Sequence, residues 1–300
     1  MWQPTFACPE CGELVDEAGP DRFNCARCAG EYTRRAGVWR FLTASRLARL
    51  EPFTRQYRDV RGREGRRPSS AEYYRRLPGV SGDDPHAAEW RVRRETYRHL
   101  LGHVLATGPA SMRVLDLGAG SGWLSHRLAE LGHHAVAVDA IDDEADGLGA
   151  ARHYEIEFSM VQADFTALPF AVEQFDLVAF NGSLHYAADT PATLAHARRM
   201  LAPGGALVVM DSPMFRADAD GRAMVTDLVW RFTADYGLTN IVQPGLGYLT
   251  FASLAATARD LHLEPRFIPS HGPLRWRVRR RLARFKLGRA PAAFGLWVAR

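Results

Sequence analysis

The chain has 300 residues, 47% of them hydrophobic and 24% charged, which suits one α/β core with a small appendage and excludes a wholly disordered or fibrous protein. No run approaches the roughly 20 apolar residues of a membrane helix, and the opening MWQPTFACPECGE has no basic segment followed by an apolar core, so a cytoplasmic protein without a membrane partner is expected. The net charge of +4 conceals an uneven layout: residues 1–70 hold 13 Lys and Arg against 9 Asp and Glu, residues 71–270 hold 16 against 25, and residues 271–300 hold 9 against none. Basic ends on an acidic body leave RNA and anionic small molecules both open as partners.

All four cysteines lie in the first 28 residues, as Cys8-Pro-Glu-Cys11 and Cys25-Ala-Arg-Cys28. Each pair turns tightly enough to present two sulfurs to one ion, so the four can close a tetrahedral, structural Zn²⁺ site with no position left for chemistry. Two disulfides or four unrelated thiols are the alternatives, and the lack of a secretion leader weighs against the disulfides. Residues 31–42 then read as a strand, a Gly turn and an apolar anchor. Residues 1–43 are therefore taken as a zinc ribbon.

Residues 44–110 read as a helical linker and lid. The spacing predicts a helix over 45–58 with Leu47, Leu50, Phe53 and Tyr57 on one side, followed by the charged link RGREGRRPSS. Two more amphipathic segments follow at 71–77 and 87–105, separated by Pro78-Gly79 and Gly82. Trp90, Tyr97, Leu100, Leu101 and Val104 form a stripe suited to packing on a sheet. Tyr73 and Tyr74 stand just before the break, where a helix can act as a lid, and Tyr73 is assigned to the cofactor site.

A regular α/β alternation begins at Met112. An apolar strand ending at Leu117 runs into Gly118-Ala-Gly-Ser-Gly122, then a helix over 123–131, and a second strand over 135–138 ends on Asp139. Glycines at a strand-to-helix junction let the backbone approach a ligand, and a carboxylate at the next strand end can accept both hydroxyls of a ribose. Further strands are expected to end at Asp164, to span 175–180 and to span 206–210, with a helix over 190–201 closed by Pro203-Gly204-Gly205. Such alternation implies a mostly parallel sheet with helices on both faces and a ligand site beyond its carboxyl ends, where Asp116, Gly118, Gly120, Asp139, Asp164, Asn181 and Asp211 converge.

Residues 112–210 resemble the core of the class I S-adenosylmethionine-dependent methyltransferases. The resemblance rests on VLDLGAGSG at 114–122, the acidic strand end Asp139, Gln162-Ala-Asp-Phe165 with LPF at 168–170, FDLVAFNGSLHY at 175–186 and LAPGGALVV at 201–209. It implies a Rossmann-like, seven-stranded sheet over 111–300, with inserts at 211–250 and 270–290. It also implies that Gly118, Ala119 and Gly120 pass under the methionine part of the cofactor, that Asp139 with Ala140 meets the ribose, that Asp164 meets the adenine amino group beside Phe165, and that Asn181 and Gly182 lie near the reacting centre. Asp116 close to the glycine turn favours a sulfonium cation and would repel the pyrophosphate of a dinucleotide.

The stretch after Asp139, AIDDEADGLGAARHY, is a poor helix former and is expected to make a long turn. Beyond residue 211 the pattern predicts a helix over 221–236, a turn over 243–248, a helix over 251–261, and strands over 264–269 and 292–298. Between those strands, residues 274–287 form a basic amphipathic insertion in which Trp276, Leu282 and Phe285 anchor and Arg275, Arg279 and Arg280 face outward.

The acceptor is expected to be a small molecule such as a secondary metabolite, methylated on oxygen, nitrogen or carbon. A ribbon ahead of such a core also resembles the layout of ribosomal RNA guanine methyltransferases, which keeps an RNA base as the alternative acceptor. A cofactor-binding module without catalysis is a third reading, and monomer and homodimer both stay open. His185 and Tyr186 follow the fourth core strand closely enough to meet an acceptor: a histidine near its free pKa can take the acceptor's proton, and a tyrosine can orient it. Capping and packing are their structural alternative.

Overall fold

A computed structural model describes residues 2–67, 70–272, 278, 282–283, 285 and 287–300. The chain opens with a four-strand meander, β1 (Asp16–Gly19), β2 (Arg22–Asn24), β3 (Glu31–Arg35) and β4 (Val38–Arg40). Helices α1 (Ala44–Arg63), α2 (Ala71–Arg76) and α3 (Ala87–His103) follow. The central alternation comprises β5 (Arg113–Leu117), α4 (Trp123–Glu130), β6 (His134–Asp139), β7 (Ser159–Gln162), β8 (Phe175–Asn181), α5 (Thr190–Met200) and β9 (Leu201–Met210). The remainder is β10 (Met214–Phe215), α6 (Asp218–Tyr236), β11 (Leu249–Thr250), α7 (Phe251–Asp260), β12 (Pro265–Pro269) and β13 (Gly295–Ala299).

The main sheet runs β1-β2-β3-β4-β7-β6-β5-β8-β9-β13-β12. The strands from β4 to β9 pair in parallel, and β13 and β12 are added antiparallel. The sheet is thus wider than the expected seven strands. The N-terminal meander joins it because Val38, Trp39 and Arg40 of β4 align with Met160, Val161 and Gln162 of β7.

Side chains alternate across the sheet with the two-residue period of a strand. Leu115, Leu117, Val136, Val138, Val178 and Phe180 face a core with α5, α7 and the ribbon aromatics Phe6, Tyr32, Trp39 and Phe41. Val114, Ala135, Ala137, Leu177 and Ala179 face a second core with Leu100 of α3 and Leu124 and Leu128 of α4. Both faces are covered, which is why these strands read as nearly continuous apolar runs.

Several boundaries differ from the sequence expectation. Pro203-Gly204-Gly205 does not close a helix; it bulges inside β9, since Leu201 pairs with Phe175 and Ala206 already pairs with Leu177. Proline offers no N–H to the ladder and Gly204 takes a positive φ of 77°, so four residues loop out where β8 spends one. Helix α1 continues to Arg63, into the charged stretch read as a link, and α6 starts at Asp218. The last strand starts at Gly295 instead of Ala292. In the basic insertion, Leu282 and Phe285 are 62% and 87% exposed instead of buried as anchors, while Trp276, Arg275, Arg279 and Arg280 lie outside the described residues. The stretch after Asp139 forms an irregular turn and then a 3₁₀ segment, Leu148–His153, as its composition suggests.

Candidate active site

The carboxyl ends of β5, β6, β7 and β8 open onto a cavity of about 510 Å³, within the size range of small-molecule sites. At the end of β5, Gly118 and Gly120 adopt positive φ of 72° and 55°. A Cβ on Gly118 would sit 2.3 Å from Cβ of Ser183, so only glycine fits where this turn passes the loop after β8. Asp139 holds the turn from the next strand: its Oδ2 accepts the Gly120 N–H at 2.7 Å and its Oδ1 accepts the Ile141 N–H at 2.8 Å. The Ala140 N–H adds to the stabilisation of its charge, and the carboxylate lines the cavity, where ribose hydroxyls can meet it. Burial pushes this carboxyl up to about 6.

Tyr73, Gly118, Ala119, Gly120, Asp139, Ala140, Asp164, Phe165, Asn181 and Gly182 all line the cavity. Asp116 does not. It is fully buried beneath the turn, with Oδ2 accepting from Ser125 Oγ at 2.9 Å and Oδ1 unpartnered. Burial, reinforced by Asp139, raises it to about 7.

Asp164 is more heavily engaged than the sequence suggested. Its Oδ1 accepts from the N–H and Oγ1 of Thr166, and its Oδ2 accepts from Arg49 at 2.6 Å and Arg46 at 3.4 Å. Those four donors occupy the four acceptor positions of a carboxylate, so a further donor meets Asp164 only by displacing one, and Arg46 holds the longest bond. Asn181 leaves its buried Oδ1 unpartnered at the end of β8.

The opposite wall comes from the segment read as linker and lid. Leu50, Phe53, Thr54 and Tyr57 of α1 line the cavity, joined by Tyr73 of α2 and by Trp90 and Arg93 of α3. Trp90 Nε1 donates to the Tyr73 hydroxyl at 3.1 Å. Gln56 clamps the 240–244 loop across the mouth, donating to Asn240 O and accepting from Val242 N, each at 2.7 Å. The apolar spacing of Leu50, Phe53 and Tyr57 was visible in the sequence, but a stripe does not say whether it faces core or cavity.

Tyr186 lines the cavity and packs against Phe53 and Tyr57 with ring centroids 5.4 and 5.9 Å away. Burial raises its hydroxyl above the ordinary tyrosine range. His185 is not among the lining residues, and its Nδ1 is 3.2 Å from Ser212 Oγ. Burial, together with the nearby Arg93 charge, depresses it to about 3. The premise of a histidine near its free pKa is therefore corrected: at neutral pH His185 is uncharged and a poor proton acceptor.

At the other end of the ribbon, the Sγ atoms of Cys8, Cys11, Cys25 and Cys28 lie within 4.8 Å of one another, and all four thiols are free. Tetrahedral zinc at about 2.3 Å from each sulfur spaces the sulfurs by about 3.8 Å. The Cys8–Cys28 and Cys11–Cys25 separations of 3.3 and 3.5 Å are close to that.

Residues 115–209, which span the central alternation from β5 to β9, match the family model described as a methyltransferase domain. Over 114 residues the chain is 33% identical to a malonyl-[acyl-carrier protein] O-methyltransferase of Erwinia pyrifoliae, covering 38% of this chain and 42% of the relative. Over 129 residues it is 38% identical to a demethylmenaquinone methyltransferase of Mycobacterium sp. (strain KMS), covering 42% and 51%. The chain spans about half the length of the curated relatives it matches. Among solved structures, a Burkholderia thailandensis 1,6-didemethyltoxoflavin-N1-methyltransferase aligns over 95% of this chain and 98% of its own, at 17% identity and a TM-score of 0.48.

Proposed function

We propose that the protein is an enzyme that methylates a small-molecule acceptor using S-adenosylmethionine. The observation that carries this reading is the joint opening of the Gly118–Gly120 turn and the Asp139 carboxylate onto one aromatic-walled cavity. Asp139 puts a carboxylate on the cavity wall at the turn, which suits a sulfonium better than a pyrophosphate, whereas Asp116, expected from the sequence to add its charge, holds its proton to about pH 7 and contributes little to this preference.

In this reading Asp139 with Ala140 binds the ribose, Gly118 and Ala119 pass the methionine part, Phe165 flanks the adenine, and Asp164 reaches the adenine amino group by releasing Arg46. Asn181 and Gly182 lie beside the reacting centre, and Tyr73 closes the site from the lid. When bound, S-adenosylmethionine supplies a methyl group that passes to the acceptor's nucleophile while the carbon–sulfur bonding pair stays on sulfur. The chain's own work is alignment and exclusion of water by Phe53, Tyr57 and Tyr186. His185 acts as a neutral support for its loop.

The four cysteines hold one structural zinc, which cross-links a ribbon too small to bury a core of its own. No described helix is long and apolar enough to cross a membrane.

Calorimetry tests the cofactor assignment. Micromolar binding of S-adenosylmethionine and S-adenosylhomocysteine with no appreciable NAD binding is expected, and equal or tighter NAD binding overturns it. A screen of labelled methyl transfer into a metabolite extract and fractionated RNA tests the acceptor. Label confined to small molecules is expected, whereas salt-sensitive labelling of structured RNA identifies the RNA reading.

A further inference from the structure

Four arginines line the cavity, and three are matched by carboxylates. Arg49 binds Asp164 at 2.6 Å, Arg61 meets Asp146 at 3.3 Å, and Arg66 grips Glu89 with both terminal nitrogens at 2.7 and 2.8 Å. Arg93, from the middle of α3, is different: among the described residues no carboxylate lies within 4.0 Å of it and no hydrogen bond engages its side chain. Its guanidinium carbon sits 5.1 Å from the centroid of the Trp90 ring. One terminal nitrogen comes within 3.6 Å of where a Cβ on Gly182 would be.

A guanidinium supported on an aromatic ring keeps its in-plane N–H donors free and pre-oriented. Arg93 is half-buried and its nitrogens are not sealed from the cavity, so these donors stand open to a ligand atom set that completes them. Arg93 is the one lining arginine without an ion pair among the described residues, and its flat fork matches the two coplanar oxygens of a carboxylate. Asp211 is close enough for Arg93 to stabilise its charge, but it stands beyond ion-pair distance and gives one oxygen to Thr96 Oγ1 at 2.6 Å. It biases the guanidinium toward this end of the cavity without occupying its donors.

We infer that Arg93 is the carboxylate receptor of this cavity, gripping a carboxylate beside Gly182 while Trp90 holds the guanidinium plane from behind. The carboxylate has two possible bearers, an acidic acceptor or the methionine tail of the cofactor. The inference rests on the methyltransferase reading for what fills the rest of the cavity.

The experiment uses the full chain and two arms. In the cofactor arm, calorimetry compares S-adenosylhomocysteine with 5′-methylthioadenosine, which lacks the amino-acid tail. In the acceptor arm, tryptophan fluorescence with S-adenosylhomocysteine present compares benzoate, cinnamate and octanoate with their primary amides. Arg93→Gln is expected to weaken one carboxylate-bearing set at least 10-fold and to leave the corresponding neutral compounds within 2-fold, with Arg93→Lys intermediate because it keeps the charge and loses the fork. A loss confined to the acids names the acceptor as bearer, and a loss confined to S-adenosylhomocysteine names the cofactor. The wild-type acid-to-amide ratio gives a reading that needs no variant. If Arg93→Gln binds every carboxylate as the wild type does, or if acids bind no better than amides and S-adenosylhomocysteine is unaffected, the inference is overturned. Absence of S-adenosylhomocysteine binding in the wild type would instead defeat the methyltransferase reading.

Discussion

Gly118→Ala probes the tightest point of the site. Two costs add there. A residue with a side chain at φ 72° pays roughly 1–2 kcal/mol for the left-handed conformation. The new Cβ would also lie 2.3 Å from Cβ of Ser183 and 3.1 Å from Cζ of Phe165, and forcing such an overlap costs about 1–3 kcal/mol. The variant should therefore lose about 2–5 kcal/mol in urea unfolding, a substantial share of a typical domain's 5–15 kcal/mol. Ser183→Gly removes the overlap but also deletes the Oγ hydrogen bond to Leu117 O, worth about 1 kcal/mol. The double variant should then be more stable than the sum of the two single losses predicts, because the clash needs both side chains. A Gly118→Ala loss below about 1 kcal/mol, or strict additivity in the double variant, would refute the steric argument.

His185→Ala should keep methyl transfer within about 3-fold under saturating acceptor, with an unchanged pH profile between 6 and 8, because a group held near 3 does not titrate there; a loss of 100-fold restores it as the base. Asp116 keeps its proton to about pH 7 in the native state, against 3.8 for an ordinary carboxyl. The native form thus binds more protons in that window and loses stability as pH rises through it. Asp116→Asn abolishes this titration, so its stability relative to the wild type should climb by on the order of 4 kcal/mol from pH 4 to pH 7 and then level off, and a flat difference in urea titrations contradicts the assignment. Elemental analysis should find one zinc per chain, lost in Cys8→Ser, with trypsin then cutting first within residues 1–43; zinc retained by that variant would remove Cys8 from the ligand set.

The central strands were legible because β5, β6 and β8 are covered on both faces and so announce themselves as unbroken apolar runs. The glycine turn and Asp139 were legible because strand-to-helix junctions demand those residue types locally. What escaped depended on distant partners. Nothing within Val38-Trp39-Arg40 says that it pairs in parallel with a strand some 120 residues later. The periodicity of α1 fixes a face and not what that face meets. The depressed titration of His185 follows from burial against a loop and a charge contributed by Arg93, while its ring bond goes to Ser212, none of them its sequence neighbours.

The union of β4 with β7 also bears on how the protein behaves in a crowded solution. Without the ribbon, β7 would present a row of unpaired N–H and C=O groups flanked by apolar side chains, an invitation to strands of other chains. With it, the sheet ends at β1, a four-residue strand of sequence Asp-Glu-Ala-Gly with an irregular register between Glu17 and Gly19. The far margin is β12, which begins at Pro265 and ends at Pro269. Short acidic strands, bulges and terminal prolines are poor templates for further pairing. A truncation made to isolate the central α/β core would therefore trade a guarded margin for an adhesive one, and the shortened chain should precipitate at concentrations the 300-residue chain tolerates.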